Sequence, residues 1–470
     1  MMVDDAFITY RFAENLGAGH GPVFNPGERV EGYSNFLLVV LLAPFSRAGL
    51  DLLLVAKAIG FLSGLLAVVV LTTIARSLMP SGSPFVFLPA LLLAGSASFA
   101  LWTMAGIETT LFAVLILGGT AAYMSWVDGA GGRRAAVVSG LCLTAACLTR
   151  PEGPLFPLAL GLDLLPRVRA RRPELRETLI WGCAVLLPFL VFLGWRWSYY
   201  GALLPNTYYA KSWGGLTLML RALRYGYEFL MVNGGPLLVM LVAAAIGLGG
   251  ARRVRPLLAI LAANAVFVLR SGDDWMPMHR FFVPSVPILC LLAAEGVRLA
   301  SERMGPARRA VTGALTVCLL VFAYAEERYT SGNTRAHFRH EGEFAVAEYL
   351  KAHARPGDRV AVDSAGIIPY CSKLYCLDYL GLCDAHIARL PGFLHEKSDP
   401  DYVLGKNLDW VVMCGTERDP TPEQIAAYDV PGFRKPEDDL LRHPGFRQHY
   451  EFAAVFPMGN GAGVVWKRRG

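Results

Sequence analysis

The residues best equipped for chemistry stand at the start of the chain. Asp4 and Asp5 are adjacent carboxylates at the beginning of a helical pattern, VDDAFITYRFAENLG. Helix-end amides keep such a carboxylate ionised, while a neighbouring carboxylate raises its proton affinity. A base of this kind takes a proton from a hydroxyl group. The competing reading is plain capping, because aspartate is favoured at helix starts and complements the dipole. Two carboxylates on one loop are an incomplete ligand set, so no cofactor is required and a divalent cation is only compatible with the site.

Three more segments carry candidate ligands. In residues 148–153, Arg150 and Glu152 follow an apolar run, where charge is costly and therefore paired or functional. Arg150 is a candidate for a phosphate and Glu152 for a sugar or acceptor; a mutual ion pair is the plainer alternative. Residues 205–211 read Pro-Asn-Thr-Tyr-Tyr-Ala-Lys. Apart from Lys57, Lys211 is the only lysine in the apolar part of the chain. A lysine among tyrosines suits a lipid-anchored phosphate, with Asn206 and Tyr208 as sugar or acceptor contacts. An interfacial tyrosine–lysine belt competes with that reading. Residues 273–280 gather Asp273, Asp274, Trp275, His279 and Arg280. Carboxylates beside an indole suit a sugar face and its hydroxyls, and His279 or Arg280 suits phosphate.

These groups must be held by membrane helices. The chain of 470 residues is 54% hydrophobic and 17% charged, with a mean hydropathy of +0.41. No single soluble core of this size hides so much apolar surface. Apolar runs at 52–75, 85–105, 110–127, 135–149, 154–165, 179–198, 236–249, 257–270, 281–298 and 310–325 predict about ten spanning helices, two of them extended into their flanks. Alternate connections carry Arg76; Arg133 and Arg134; Arg167, Arg169, Arg171, Arg172 and Arg176; Arg252, Arg253 and Arg255; and Arg298, Arg303, Arg308 and Arg309. The positive-inside rule places those in the cytoplasm. The opposite set then faces outward: 1–50, 106–108, 150–153, 203–233, 271–280 and everything after Glu326. Every chemically interesting segment falls in it. The net charge of +6 follows this arginine distribution, so nucleic acid is not an expected partner. The bilayer is.

Residues 1–50 read as an outer loop with interfacial helices. Ile8, Phe12 and Leu16 share one face of a helix running to about Leu16 and ended by Gly17 or Gly19, and residues 35–48 form a second candidate. Asn25-Pro26-Gly27-Glu28 is turn chemistry. Residue 1 falls on the outer side, so one more span upstream of it is expected. From 51 to 326 runs the multi-span domain. Residues 327–470, roughly 140 of them, read as an extracytoplasmic α/β domain, with a helix near 343–353 and strands at 359–363 and 409–414. Gly366 after the first strand is too little for a nucleotide site. No cysteine pattern has metal-ligand spacing; Cys371, Cys376, Cys383 and Cys414 face an oxidising side, which permits a disulfide of unassigned pairing.

An Asp-Asp pair on the first outer loop, followed by an amphipathic helix, resembles the C-type glycosyltransferases, polytopic enzymes that take sugars from polyprenyl-phosphate donors. The segments Asn25-Pro26-Gly27-Glu28-Arg29-Val30-Glu31-Gly32-Tyr33-Ser34-Asn35-Phe36, Gly106-Ile107-Glu108-Thr109, Arg150-Pro151-Glu152-Gly153, Pro205–Lys211 and Gly272–Pro277 resemble the bacterial branch of mycobacterial terminal arabinofuranosyltransferases. The resemblance implies Asp4 as the base, with Asp5 as its partner or the alternative base, and Tyr33 among the sugar or acceptor contacts. It implies a polyprenyl-phosphate sugar, arabinofuranose or a related pentose, as donor and an envelope glycan or glycolipid as acceptor, in a bacterial inner membrane. A transporter or flippase of lipid-linked saccharide is the rival. Such a protein should place ionisable residues near the bilayer midplane or show broken, paired helices, whereas here charge gathers at one face.

Overall fold

The computed structural model describes residues 2–169, 173–211, 215–233, 235–303, 310, 313–318, 340–415, 420–458 and 461–470. Arg171, Arg172, Arg308, Arg309, the side chain of Arg252, most of the run at 310–325 and the boundary at Glu326 lie outside the described residues. The chain divides into two compact units: Ala56–Gly194 with Gly215–Thr334, and Met1–Val55 with Trp195–Gly214 and Arg335–Gly470.

The first unit is helical. Leu52–Leu78, Thr109–Val127, Leu175–Tyr200, Arg253–Ser271 and Arg280–Arg303 are long and apolar enough to cross a membrane. At 1.5 Å per residue the 27-residue Leu52–Leu78 is about 40 Å long. It leaves Phe61, Leu62, Leu65, Leu66 and Val69 exposed, as a lipid-facing helix does. Two bent pairs, Pro84–Gly95 with Ala97–Thr103 (66°) and Gly215–Val232 with Leu237–Leu248 (89°), raise the number of candidate spans from five to at most seven among the described residues. The expected ten are therefore not reached. The runs at 135–149 and 154–165 do form helices, Gly132–Thr149 and Leu155–Arg169, but neither joins the long apolar set. The first opens on Arg133 and Arg134, and the second has only 15 residues. Gly215–Val232, expected as part of an outer connection, is helical and carries an exposed Arg224–Glu228 pair at 2.7 Å, one turn apart.

Buried polar groups lock this unit at two places. Asp163 accepts from Tyr123 Oη at 2.8 Å and Arg167 Nε at 2.9 Å, and also pairs with Arg255. The break at Ser96 holds the loop that begins at Gly272: Ser98 Oγ donates to the Met278 carbonyl at 2.6 Å, and Trp102 Nε1 to the same oxygen at 3.4 Å.

The second unit is mixed. Its sheet has the order β2-β1-β3-β5-β4, with β1 Arg359–Val362, β2 Tyr375–Asp378, β3 Trp410–Cys414, β4 Tyr450–Met458 and β5 Gly461–Arg468. β2, β1 and β3 are parallel, while β5 and β4 add antiparallel. The all-buried β3 and the Trp466 of β5 reflect a core closed on both sides, with Phe446 and Tyr450 packed beside them. At the β2 edge Asn25 substitutes for a neighbouring strand. Its amide donates to the Cys376 carbonyl at 2.8 Å and accepts from the Cys376 N–H at 3.1 Å, which satisfies an otherwise open edge.

Helix Asp4–Gly17 belongs to this unit's core, which corrects the expectation that it lies on a membrane surface. Residues from Ala6 to Ala13 are all buried, Arg11 included. The Arg11 guanidinium donates to the carbonyls of Phe24 (2.7 Å), Pro369 (2.5 Å) and Leu374 (2.8 Å) and to Asn25 Oδ1 (3.0 Å). A one-face apolar pattern cannot distinguish docking on lipid from docking on a domain. Helix Phe36–Arg47 does keep Val40, Leu41 and Phe45 exposed, as an interfacial helix would. All nine cysteines are free thiols, and Cys376, Cys383 and Cys414 are buried, so the disulfide that the sequence permits is not formed.

Candidate active site

Asp4 lies in the first turn of its helix, and its side chain serves a different helix. Val3, in extended backbone, precedes the helix, and no side chain caps it, contrary to the capping expected of Asp4 or Asp5. Asp4 Oδ2 accepts from the Gly366 N–H at 3.1 Å and Oδ1 from the Ile367 N–H at 2.7 Å. Those are the first amides of helix Ile367–Ser372, which follows β1. The strand–glycine–helix turn thus holds an anion, the chain's own carboxylate. Gly366 is needed because a Cβ there would overlap the Asp4 carbonyl. Burial pushes the Asp4 carboxyl up to about 7, against the pull of the Ile367 amide and with the help of Asp5 and Glu343; His340 opposes the rise.

His340 and Glu343 escaped sequence reasoning. They open helix Glu341–His353, with His340 Nδ1 3.1 Å from Glu343 Oε1. No local spacing ties them to Asp4; the tie is tertiary. Phe7 packs on Phe344 and Tyr370, with ring centroids 5.9 and 5.5 Å apart, which fastens the three helices together near their starts.

The segment carrying Lys211 is clamped in the same unit. Asn206 donates its amide to the carbonyls of Gly381 (2.9 Å), Leu382 (3.0 Å) and Asp384 (3.0 Å), and its N–H goes to the Glu31 carbonyl at 2.9 Å. Asn206, expected as a sugar contact, acts as a structural clip here, with its amide protons engaged by backbone carbonyls. Lys397 is fully buried and donates to the Tyr209 carbonyl at 3.0 Å and to that of Ala388. Lys211 itself has no ion-pair partner among the described residues. Together with burial and Arg434, it holds the His395 imidazole down, to about 4. Tyr208 is half exposed. Tyr33, expected as a sugar contact, is a core residue instead. It is 2% exposed, packs on Phe12 and shares a 3.1 Å hydrogen bond with Tyr200 Oη. Beside it Arg196 pairs with Glu31 at 3.0 Å, while burial pushes the Glu31 carboxyl up to about 7.

The other candidates lie in the helical unit, where two of the expected segments meet. The Arg150 guanidinium donates to Glu108 at 2.7 Å and also pairs with Glu152; all three side chains are buried. Arg280 is held by Asp274 through contacts of 2.6 and 3.2 Å. Phe281 lies between the two clusters, with Arg150 5.8 Å and Arg280 5.5 Å from its ring centroid. Both arginines, expected as phosphate ligands, are thus already neutralised by carboxylates in a low-dielectric setting. Asp273 pairs with Arg221 at 2.6 Å, and Trp275 is 55% exposed. His279, in left-handed backbone at φ 48°, is packed against Tyr225 and Phe229. Burial lowers its pKa to about 4, which favours the neutral imidazole. Among the described residues no three His, Cys, Asp or Glu side chains form a metal-ligand group.

Comparison with known proteins agrees with this fold. Residues 329–467 match a family described as "Domain of unknown function (DUF8728)". The chain is 31% identical over 338 residues to the terminal beta-(1->2)-arabinofuranosyltransferase of Mycobacterium tuberculosis, which covers 63% of this chain. It spans only about half, 52%, of that relative's length. Among solved structures, ArnT from Cupriavidus metallidurans bound to undecaprenyl phosphate has a TM-score of 0.58 at 14% identity, over 98% of this chain and 93% of that one. The Archaeoglobus fulgidus oligosaccharyltransferase, in complex with zinc and sulfate, has a TM-score of 0.54 at 14% identity, over 98% and 69%. The protein is thus a multi-pass membrane protein that shares the fold of these two solved structures.

Proposed function

We propose that this chain is a membrane glycosyltransferase that moves a sugar from a polyprenyl-phosphate donor to a hydroxyl of a cell-envelope glycan or glycolipid. The observation that carries this reading is the 31% identity over 338 residues to an arabinofuranosyltransferase. The fold shared with an undecaprenyl-phosphate-binding ArnT supports it. Arabinofuranose or a related pentose is the proposed sugar. The active site and the α/β domain face away from the cytoplasm across a bacterial inner membrane, the side opposite the arginine-rich connections.

The acceptor oxygen attacks the anomeric carbon, and the bond from that carbon to the phosphate oxygen breaks. Asp4 takes the acceptor's proton; a carboxyl titrating at about 7 suits a base that works near neutrality. Asp5, in the same turn, raises that proton affinity. Polyprenyl phosphate departs with one more negative charge, and Lys211 is the cation offered to it, since Arg150 and Arg280 are held by carboxylates.

The test uses the full chain in detergent with a polyprenyl-phosphate pentose and an acceptor oligosaccharide. Asp4→Asn should bind donor yet lose on the order of 10²–10⁴-fold in turnover. Lys211→Ala should weaken donor binding. Full turnover in both Asp4→Asn and Asp5→Asn would remove the base assignment and favour transport of the lipid-linked sugar.

A further inference from the structure

Around Asp4 the fold gathers more than a base needs for simple anchoring. Three helices, Asp4–Gly17, Glu341–His353 and Ile367–Ser372, bring their N-terminal turns together there, and each start adds positive potential. The third delivers two amides to the Asp4 carboxylate. The second delivers a charged pair, His340 and Glu343, whose side chains are only 10% and 13% exposed. Glu343 Oε2 is buried and without a hydrogen-bond partner among the described residues, while the His340 ring also meets the Met2 backbone. A buried polar atom left unpaired destabilises the fold. A purely structural pair would not be expected to retain one.

We propose that His340 and Glu343 are positioning residues that set the charge on Asp4 and hence the pH range in which it works as a base. This rests on the reading of Asp4 as the base. The two act in opposite senses, since an imidazolium beside Asp4 favours the carboxylate and a second carboxylate favours the protonated acid. Burial disfavours the protonated imidazole of His340, but the Glu343 contact and the nearby Asp4 and Met2 backbone outweigh it. The other titratable groups facing Asp4 are few. Asp5 lies on its own helix, Cys371 on the helix that Asp4 caps, Cys376 on β2 and Cys414 on β3. Burial keeps the three thiols neutral, so the His340–Glu343 pair and Asp5 supply the variable charge.

The experiment compares His340→Gln and Glu343→Gln with the natural chain. In the first, the acidic limb of the turnover profile should move up by roughly half to one pH unit, because the favourable positive charge is gone. In the second it should move down, by less, because His340 is then less readily protonated. A merely structural role would lower activity without moving the limbs in opposite directions. Limbs that stay in place, or move the same way, overturn the proposal. Infrared titration of the protonated carboxyl band assigned to Asp4, by its loss in Asp4→Asn, reads the same shifts without turnover. If Asp4→Asn and Asp5→Asn are fully active, the base assignment fails, while opposite infrared shifts would still establish the pair's control of Asp4. Unmoved infrared bands with an inactive Asp4→Asn would reject the pair alone.

Discussion

The substitution Asn206→Asp tests, with a change of one atom, how the Lys211 segment is held. In the folded chain the Asn206 amide faces three carbonyl oxygens at 2.9, 3.0 and 3.0 Å and is 5% exposed. An amide brings two protons to that cradle; a carboxylate brings none and would be repelled. To stay in place the introduced carboxylate must bind a proton, which at pH 7 costs about (7 − 3.9) × 1.36, or roughly 4 kcal/mol. The acid then makes one bond where the amide made two, a further loss of about 1 kcal/mol. The sum is about 5 kcal/mol at pH 7. The group's folded pKa is raised, so it binds protons more tightly folded than unfolded. Its penalty is therefore small at and below pH 4 and grows as pH rises. At pH 4 the sum falls to about 1.5 kcal/mol. Thermal unfolding in detergent, with the natural chain alongside at each pH, should show a Tm deficit that widens from about pH 4.5 to pH 7. If the segment escapes by swinging out, the Tm deficit shrinks but Lys211 leaves its place and the donor KM rises. A deficit equal at both pH values, or none with an unchanged donor KM, would refute the clip.

Two other outcomes follow from buried contacts. Gly366→Ala should lower stability by about 1–3 kcal/mol through overpacking against the Asp4 carbonyl, seen as a lower Tm, with turnover falling alongside because Asp4 is displaced. Glu108→Gln with Glu152→Gln should destabilise by about 3–5 kcal/mol, because Arg150 is left buried without a counter-ion. Either change alone should cost less, and equal Tm values for single and double variants would speak against a shared guanidinium.

Much of the fold was legible where a long period or a charge asymmetry carried it. The runs at 52–75 and 179–198 became Leu52–Leu78 and Leu175–Tyr200, and the strands expected at 359–363 and 409–414 became Arg359–Val362 and Trp410–Cys414. β4 and β5 were missed; β4 alternates only irregularly between exposed and partly buried positions. Helix Asp4–Gly17 was found with its end at the expected glycine, yet its environment was misread. The face containing Ile8 and Phe12 packs within a protein core, and Arg11 is satisfied by carbonyls reached across more than three hundred residues.

At the candidate site, residue types can be read from the sequence but the pairing of their charges cannot. The sequence reading picked Arg150, Arg280, His279 and Lys211 as phosphate ligands. Two of them are paired, Arg150 with Glu108 and Glu152 and Arg280 with Asp274, while burial favours the neutral form of His279. Only the Arg150–Glu152 pairing was visible locally, as neighbours two residues apart. Next to hydrocarbon a guanidinium that must stay folded in place is paired first, because an unpaired buried charge costs several kcal/mol. A lysine held by the clamping of its neighbours Asn206 and Tyr209, and not by a counter-ion, keeps its charge for something else. The same logic governs Asp4. Two amides from a turn 362 residues away anchor the carboxylate, while burial and the nearby carboxylates lift its proton affinity to about 7. Asp4 and Lys211 are therefore sequence-selected groups that no contacting counter-ion neutralises among the described residues, which is the condition a base and a phosphate ligand share.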